Sequence, residues 1–154
     1  MEMVILIGLQ ASGKSTFCAE RFSSTHEVIS KDRFPNARNA QARQMRLVGE
    51  ALDAGRSMVI DNTNATRESR RALIEAARAR EVKVVGYYFE SRIGECVDRN
   101  RSRVGRARVP DVALYSTLKV LEPPSYPEGF DELFHVRFGA EGRFVVSAWI
   151  DEKS

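Results

Sequence analysis

An unbroken apolar segment followed directly by a glycine-rich one opens the chain and constrains its fold more than any other feature. Residues 3–7 read Met-Val-Ile-Leu-Ile, and residues 8–16 read Gly-Leu-Gln-Ala-Ser-Gly-Lys-Ser-Thr. Apolar character without alternation predicts a strand buried on both faces, as in a parallel sheet covered by helices. A helix is predicted next, from Lys14 to about Phe22, so the glycines lie in a turn from strand to helix.

The spacing G-x-x-x-x-G-K-S in this turn predicts a loop that binds the phosphates of a nucleoside triphosphate. Gly8 permits a tight exit from the strand, and Gly13 lets backbone N–H groups face the phosphates at the positive end of the helix. Lys14 supplies positive charge to the β- and γ-phosphates, and the Ser15 hydroxyl suits Mg²⁺. The residues expected at the nucleotide are Gly8, Ala11, Ser12, Gly13, Lys14, Ser15 and Thr16. The motif alone leaves open whether the nucleotide is a phosphoryl donor, a motor fuel or a switch.

Strands and helices are predicted to alternate along the rest of the chain. Further strands are expected at residues 27–30, 57–61, 82–89 and 133–138, with an edge hairpin completed by residues 144–150. Segments with helical periodicity lie between them, around residues 45–52 and 66–77, from residue 92, and over residues 111–121. This order predicts βαβ units, and therefore an α/β fold with a mostly parallel central sheet between two layers of helices.

Composition indicates one globular domain over residues 1–154. The chain is 43% apolar and 29% charged, and its length suffices to bury a core without disulfides. No apolar run approaches the roughly 20 residues of a membrane span, and the N-terminus lacks a signal pattern, so no membrane partner is expected. The two cysteines, Cys18 and Cys96, are too few for a disulfide framework and are predicted to lie in the core. A reducing, cytoplasmic setting is expected.

The net charge of +3 is concentrated in one short segment. Residues 99–108 hold five arginines and no acid, and the rest of the chain, with 19 basic and 21 acidic residues, carries −2. This cluster is interpreted either as a solvated helix face or as a lid, at about residues 99–110, that brings arginines over a triphosphate. Arg99 and Arg103 are four residues apart and share a helix face, whereas Arg106 falls in a loop after Gly105. Another arginine-rich stretch, residues 67–80, favours a solvated amphipathic face over an extended binding surface.

Polar residues follow the second and third predicted strands, where ligands of a parallel sheet bind. Asp32, in the segment Ser-Lys-Asp-Arg at residues 30–33, is a candidate to accept the proton of an attacking hydroxyl. A turn or helix-cap aspartate is the alternative. Asp61, in the segment Asp-Asn-Thr-Asn at residues 61–64, is a candidate to hold Mg²⁺ through water or to orient an arginine. A simple Asx-turn explains it equally well.

Taken together, these segments resemble the kinase domain of polynucleotide 5′-hydroxyl kinases, a family of end-healing P-loop enzymes. The resemblance spans roughly Val4 to Phe138 and is carried by residues 8–16, 30–33 and 60–64, by Arg99-Asn100-Arg101-Ser102-Arg103, by Val109-Pro110 and by residues 121–130. It implies a P-loop kinase fold. It also implies transfer of the γ-phosphate of ATP, with Mg²⁺, to the 5′-hydroxyl of DNA or RNA.

The resemblance implies roles for residues at matching positions. Lys14 and Ser15 match the phosphate and metal contacts, and Asp32 matches the general base. Arg99 and Arg103 match lid arginines on the donor phosphates, so Lys14, Asp32 and Arg103 are the expected catalytic residues. Where several family members hold the acceptor with an arginine three residues after the base, this chain has Pro35. The expected acceptor-binding residues are therefore Lys31, Arg33, Arg38, Asp61 and Asn62.

Three functions stay open at this point. A polynucleotide 5′-kinase leads, and the alternatives are a small-molecule kinase acting on a nucleoside, sugar or antibiotic hydroxyl, and an ATP-binding switch or ATPase. Family members often carry a 3′-phosphatase or ligase domain beside the kinase, which 154 residues do not accommodate. Separate phosphatase or ligase proteins are the partners expected of a stand-alone kinase, and an excised domain is the other explanation.

Overall fold

A six-stranded sheet in the order β2-β3-β1-β4-β5-β6 forms the centre of the protein. The computed structural model describes residues 1–34, 38–90, 92–105, 108–138 and 142–150. The strands are β1 (Glu2–Ile7), β2 (Glu27–Ile29), β3 (Met58–Asp61), β4 (Lys83–Phe89), β5 (Glu132–Phe138) and β6 (Phe144–Ala148). The helices are α1 (Lys14–Arg21), α2 (Ala40–Asp53), α3 (Arg67–Ala79), α4 (Ile93–Ser102) and α5 (Asp111–Val120).

The pairing of the strands confirms the predicted α/β fold with a mostly parallel sheet. Strand β1 lies between β3 and β4 and is parallel to both, and β2 and β5 extend the sheet in the same direction. Only the pairing of β6 with β5 is antiparallel. The carboxyl ends of β1, β2 and β3 therefore meet at one edge of the sheet, which is where parallel sheets bind ligands.

Burial on both faces explains the uninterrupted apolar character of β1. Met3 and Ile5 are fully buried in a cluster with residues of α2 and α3. Val4 and Leu6 are fully buried on the other face, in a cluster with Phe17 of α1. Because successive side chains of a strand point to opposite faces, a strand between two helical layers must be apolar at every position.

Arg70 corrects the prediction that the arginines of α3 form a solvated face. Its side chain is completely buried. Nε and Nη2 donate to the two carboxylate oxygens of Glu128 at 2.9 and 3.2 Å, and Nη1 donates to the carbonyls of Asn64 and Glu122. The segment after α5 supplies Glu122 and Glu128, and the residues between β3 and α3 supply Asn64. The next residue, Arg71, stays exposed and pairs with Glu68 of the same helix.

Cys18 and Cys96 are buried, as predicted. Burial raises the pKa of the Cys18 thiol to about 11 and also raises the pKa of Cys96. Both side chains therefore stay protonated at neutral pH and act as small apolar groups. Within the part of the chain that is described, no helix has the length and apolar character needed to cross a membrane.

Candidate active site

The glycine-rich segment, residues 8–16, forms a loop between β1 and α1, here called the P-loop. The Gly8 N–H donates to the Thr63 carbonyl at 3.0 Å, which holds the start of the loop against the residues after β3. Gly13 lies at the N-terminus of α1 with φ of 99°, and a Cβ added there would lie 2.9 Å from the Phe138 ring. Both the backbone conformation and the close ring require glycine at this position. No side chain among the described residues caps α1, so its first N–H groups suit an anion.

Lys14 is buried against its own loop. Its Nζ donates to the carbonyls of Gly8 and Leu9, the first of these at 2.9 Å. Burial lowers the pKa of Lys14 to about 8, and the nearby Asp61 carboxylate limits the decrease. The ammonium group is therefore still mostly charged at pH 7, although it has lost much of its hydration. The loop thus holds a positive charge at the position where the motif predicts phosphates.

Ser15 and Asp61 connect the P-loop to the end of β3. Ser15 Oγ donates to Asp61 Oδ2 at 2.9 Å, and Asp61 is 8% exposed. A hydroxyl and a carboxylate are hard oxygen donors of the kind that Mg²⁺ prefers. The two side chains that the sequence connected with Mg²⁺ are thus adjacent, and their chemistry fits that ion.

A cleft of about 620 Å³ opens beside the P-loop and brings most of the predicted site residues together. Its lining includes Lys14, Ser15, Lys31, Asp32, Asp61, Asn62 and Arg103. Asp32 lies on a short 3-10 turn, Lys31–Arg33, and its N–H donates to Ser30 Oγ at 3.3 Å. The cleft therefore combines two carboxylates with three cationic side chains, contributed by four separate segments of the chain.

The two predicted lid arginines occupy different positions. Arg103 directly follows α4 and lines the cleft, where its charge contributes to the lowered pKa of Lys14. Arg99 instead contacts the loop from outside: Nη1 donates to the Ala11 carbonyl at 3.1 Å, and the guanidinium lies 4.3 Å from the centre of the Phe138 ring. Both arginines adjoin the P-loop, but only Arg103 is among the residues lining the cleft.

The remaining predicted residues lie at the margin of the site. Arg33 lines a smaller pocket of about 190 Å³ that also contacts Asp32, Ser15 and Asp61. Arg38 and Thr16 are exposed. Pro35 and Arg106 lie outside the described residues.

Three buried amide side chains complete the site, and the sequence analysis assigned them no role of their own. Asn64 Nδ2 donates to the carbonyls of Leu6 and Ile60, which joins the ends of β1 and β3. Asn100 bonds both the N–H and the carbonyl of Val109 and so closes the loop that follows α4. Gln44, on α2, accepts a bond from Asn62. Asn64 and Asn100 stand inside recognisable motifs, whereas nothing in the pattern of α2 distinguishes Gln44.

The P-loop and the order of the mostly parallel sheet define a P-loop kinase fold with a nucleotide-binding loop. A family model described as an AAA domain matches residues 3–124. The chain belongs to that family.

The chain is similar in sequence to a curated protein, and its fold is similar to those of two solved structures. The chain is 28% identical over 141 residues to a bifunctional polynucleotide phosphatase/kinase of Schizosaccharomyces pombe, covering 89% of this chain and 34% of the yeast protein. It thus spans about a third of that relative's length. A sugar kinase of Janibacter superposes with a TM-score of 0.63 at 20% identity, over 88% of this chain and 85% of that one. A fungal RNA kinase superposes with a TM-score of 0.65 at 14% identity, over 99% of this chain and 40% of that one. These superpositions confirm the fold.

Proposed function

We propose that this protein is an ATP- and Mg²⁺-dependent polynucleotide 5′-hydroxyl kinase. The observation that carries the proposal is the position of Asp32, which lines the same cleft as Lys14 and Arg103. A carboxylate facing cations across a cleft is the arrangement that phosphoryl transfer to an alcohol requires. The similarity to a polynucleotide phosphatase/kinase over most of this chain supports a nucleic-acid acceptor.

On the donor side, the P-loop binds the triphosphate. The N–H groups at the start of α1 contact the phosphates, and Lys14 exchanges its bonds to the Gly8 and Leu9 carbonyls for bonds to phosphate oxygens. Arg103 stabilises the charge that spreads over the transferred group. Ser15 and Asp61 would hold Mg²⁺, which would supply positive charge to neutralise part of the charge of the phosphates.

On the acceptor side, Asp32 orients the 5′-hydroxyl and takes its proton. The hydroxyl oxygen forms a bond to the γ-phosphorus as the bond from that phosphorus to the β,γ-bridging oxygen breaks, and ADP leaves. Lys31 and Arg33 flank Asp32 and provide positive charge for the first phosphodiesters of the acceptor. Since the chain outside residues 99–108 carries a net charge of −2, we expect only a few nucleotides to be held.

The proposal is tested with labelled ATP, Mg²⁺ and a short oligonucleotide bearing a 5′-hydroxyl, compared with the same oligonucleotide already phosphorylated at that end. Label should appear only on the first, and the KM for the oligonucleotide should rise with salt because phosphodiester contacts are screened. A protein that binds ATP but labels only a sugar or free nucleoside, or only releases phosphate, contradicts the proposal.

A further inference from the structure

Two amide side chains connect α2 to the turn that carries Asp32. Asn62 Nδ2 donates to Gln44 Oε1 at 2.6 Å, and Asn62 Oδ1 accepts from the Lys31 N–H at 2.9 Å. Gln44 is only 1% exposed. Because water does not reach the buried Gln44 amide, loss of its partner is costly.

The Lys31 N–H and the Gln44 oxygen together determine which end of the Asn62 amide faces the turn. Asn62 must present an oxygen to the Lys31 N–H, and its NH₂ group then points toward α2. If the amide were rotated by half a turn, two donors would face each other at Lys31 and two acceptors at Gln44. The acceptor oxygen of Gln44 therefore supports the orientation in which Asn62 accepts from the Lys31 N–H.

The turn that this network holds is short, and two backbone bonds of 3.1 Å close it, from the Arg33 N–H to the Ser30 carbonyl and from the Phe34 N–H to the Lys31 carbonyl. It spans only Lys31–Arg33, and the Asp32 N–H bond to Ser30 Oγ is long at 3.3 Å. Helix α2 also contacts the far end of the turn, where the guanidinium of Arg43 lies 4.8 Å from the centre of the Phe34 ring. Helix α2 thus contacts the segment that carries Lys31 and Asp32 at both ends, through Asn62 at one end and through Phe34 at the other.

We propose that Gln44 is a positioning residue for the acceptor side of the reaction, acting through Asn62 on Lys31 and Asp32. This inference rests on the proposed function. The donor residues Lys14 and Ser15 belong to the P-loop and α1, whereas Gln44 bonds Asn62, which in turn accepts from the Lys31 N–H in the turn after β2. Loss of Gln44 should therefore affect the acceptor more than ATP.

The test uses Gln44→Met, which keeps the size of the side chain and removes the acceptor oxygen, and Gln44→Glu, which keeps an oxygen facing Asn62. Gln44→Met should lower kcat/KM for the oligonucleotide on the order of tenfold or more, the effect expected of a slightly misplaced reacting group, while the KM for ATP changes little. Gln44→Glu should recover most of the loss. Gln41→Met, at an exposed position of the same helix, is the matched control and should behave as the unchanged protein.

A double-mutant cycle distinguishes action through Asn62 from a general packing defect. Asn62→Ala should reproduce the effect of Gln44→Met, and the double variant should be no worse than either single one. Additive losses, or a parallel rise in the KM for ATP, would overturn the inference.

Amide hydrogen exchange gives a readout that does not depend on the reaction. The Lys31 N–H should exchange about five- to tenfold faster in Gln44→Met than in Gln41→Met, as expected for loss of one hydrogen bond. Unchanged exchange overturns the positioning role even if activity falls. Failure of the unchanged protein to label any oligonucleotide contradicts the proposed function instead, and the exchange rates then decide the Gln44–Asn62 connection separately.

Discussion

Ser15 Oγ donates a hydrogen bond to Asp61 Oδ2 at 2.9 Å and so joins the first turn of α1 to the end of β3. The same carboxylate limits the decrease in the pKa of Lys14 that burial causes. One buried acid thus interacts with both functional side chains of the P-loop. Its distance from them in sequence is large, and the parallel pairing of β1 with β3 is what brings it there.

Substitution at Ser15 should change the requirement for Mg²⁺. Ser15→Ala removes the hydroxyl from the pair of oxygens and should raise the Mg²⁺ concentration for half-maximal activity about 10- to 100-fold, the cost of losing a partner at a metal site. Ser15→Thr keeps the hydroxyl and should remain close to the unchanged protein. Titration of kinase activity with Mg²⁺ at saturating ATP measures the effect. Equal Mg²⁺ dependence of the two variants would argue against a metal at Ser15.

Asp32→Asn should abolish most transfer while leaving ATP binding intact. The amide keeps the shape of the side chain but cannot accept the proton of the attacking hydroxyl, so kcat should fall about 10²- to 10⁴-fold. Single-turnover transfer and equilibrium binding of ATP separate the two effects. Asp53→Asn, which alters an exposed pair with Arg80, serves as the control and should cost little. If Asp32→Asn retains activity, Asp32 is only a turn residue.

Arg103→Ala should weaken stabilisation of the transition state. Arg103, just after α4, lines the cleft, whereas Arg101, in the last turn of α4, bonds Asp111 near the surface. Loss of one group that stabilises developing charge costs about 2–4 kcal/mol in kcat/KM, so Arg103→Ala should show that loss and Arg101→Ala should not. Steady-state kinetics of the two variants measure both losses in kcat/KM. A loss of less than tenfold in kcat/KM for Arg103→Ala would show that this arginine does not stabilise the transition state.

The buried ammonium of Lys14 should make stability depend on pH. Its pKa is about 8 in the folded protein and 10.5 when exposed, so the unfolded chain binds more protons between these values. The free energy of unfolding attributable to Lys14 should therefore rise with pH, by about 2 kcal/mol between pH 7.5 and 10.

Comparison with Lys14→Met isolates this contribution. Groups with raised pKa, such as the Cys18 thiol, lose stability over the same range and act in the opposite direction in both proteins. Urea unfolding at several pH values should show the unchanged protein gaining stability relative to Lys14→Met as pH increases. Parallel curves would mean that Lys14 is hydrated in the folded state.

Arg70 should contribute far more to stability than the adjacent Arg71. Arg70→Met leaves the Glu128 carboxylate buried without its partner, which costs about 3–5 kcal/mol. Arg71→Met breaks an exposed pair and should cost at most about 1 kcal/mol. Denaturant midpoints at neutral pH test this contrast. Similar midpoints for both variants would show that the Arg70 pair adds little to stability.

The sequence predicted most of what is local in this protein. The apolar run of β1, the two required glycines, Lys14 and Ser15 are contiguous, so their spacing alone predicts a strand, a phosphate-binding turn and a helix. The positions of the other strands and helices, and the mostly parallel sheet, also follow from periodicity, because an element's buried face is repeated within the element itself.

Only the tertiary structure decided which polar side chains meet. Arg70 was indistinguishable from Arg71 in the pattern of α3, yet a carboxylate 58 residues away makes one a buried ion pair and leaves the other in water. Gln44 looked like any polar residue of α2 until the fold placed Asn62 against it. Periodicity shows which face of an element is buried. The contribution of a polar residue to stability or to a site depends instead on the partner that a distant segment supplies. The sequence alone therefore determined the strand, the phosphate-binding turn and the helix, and the contacts between distant segments determined which polar side chains line the cleft.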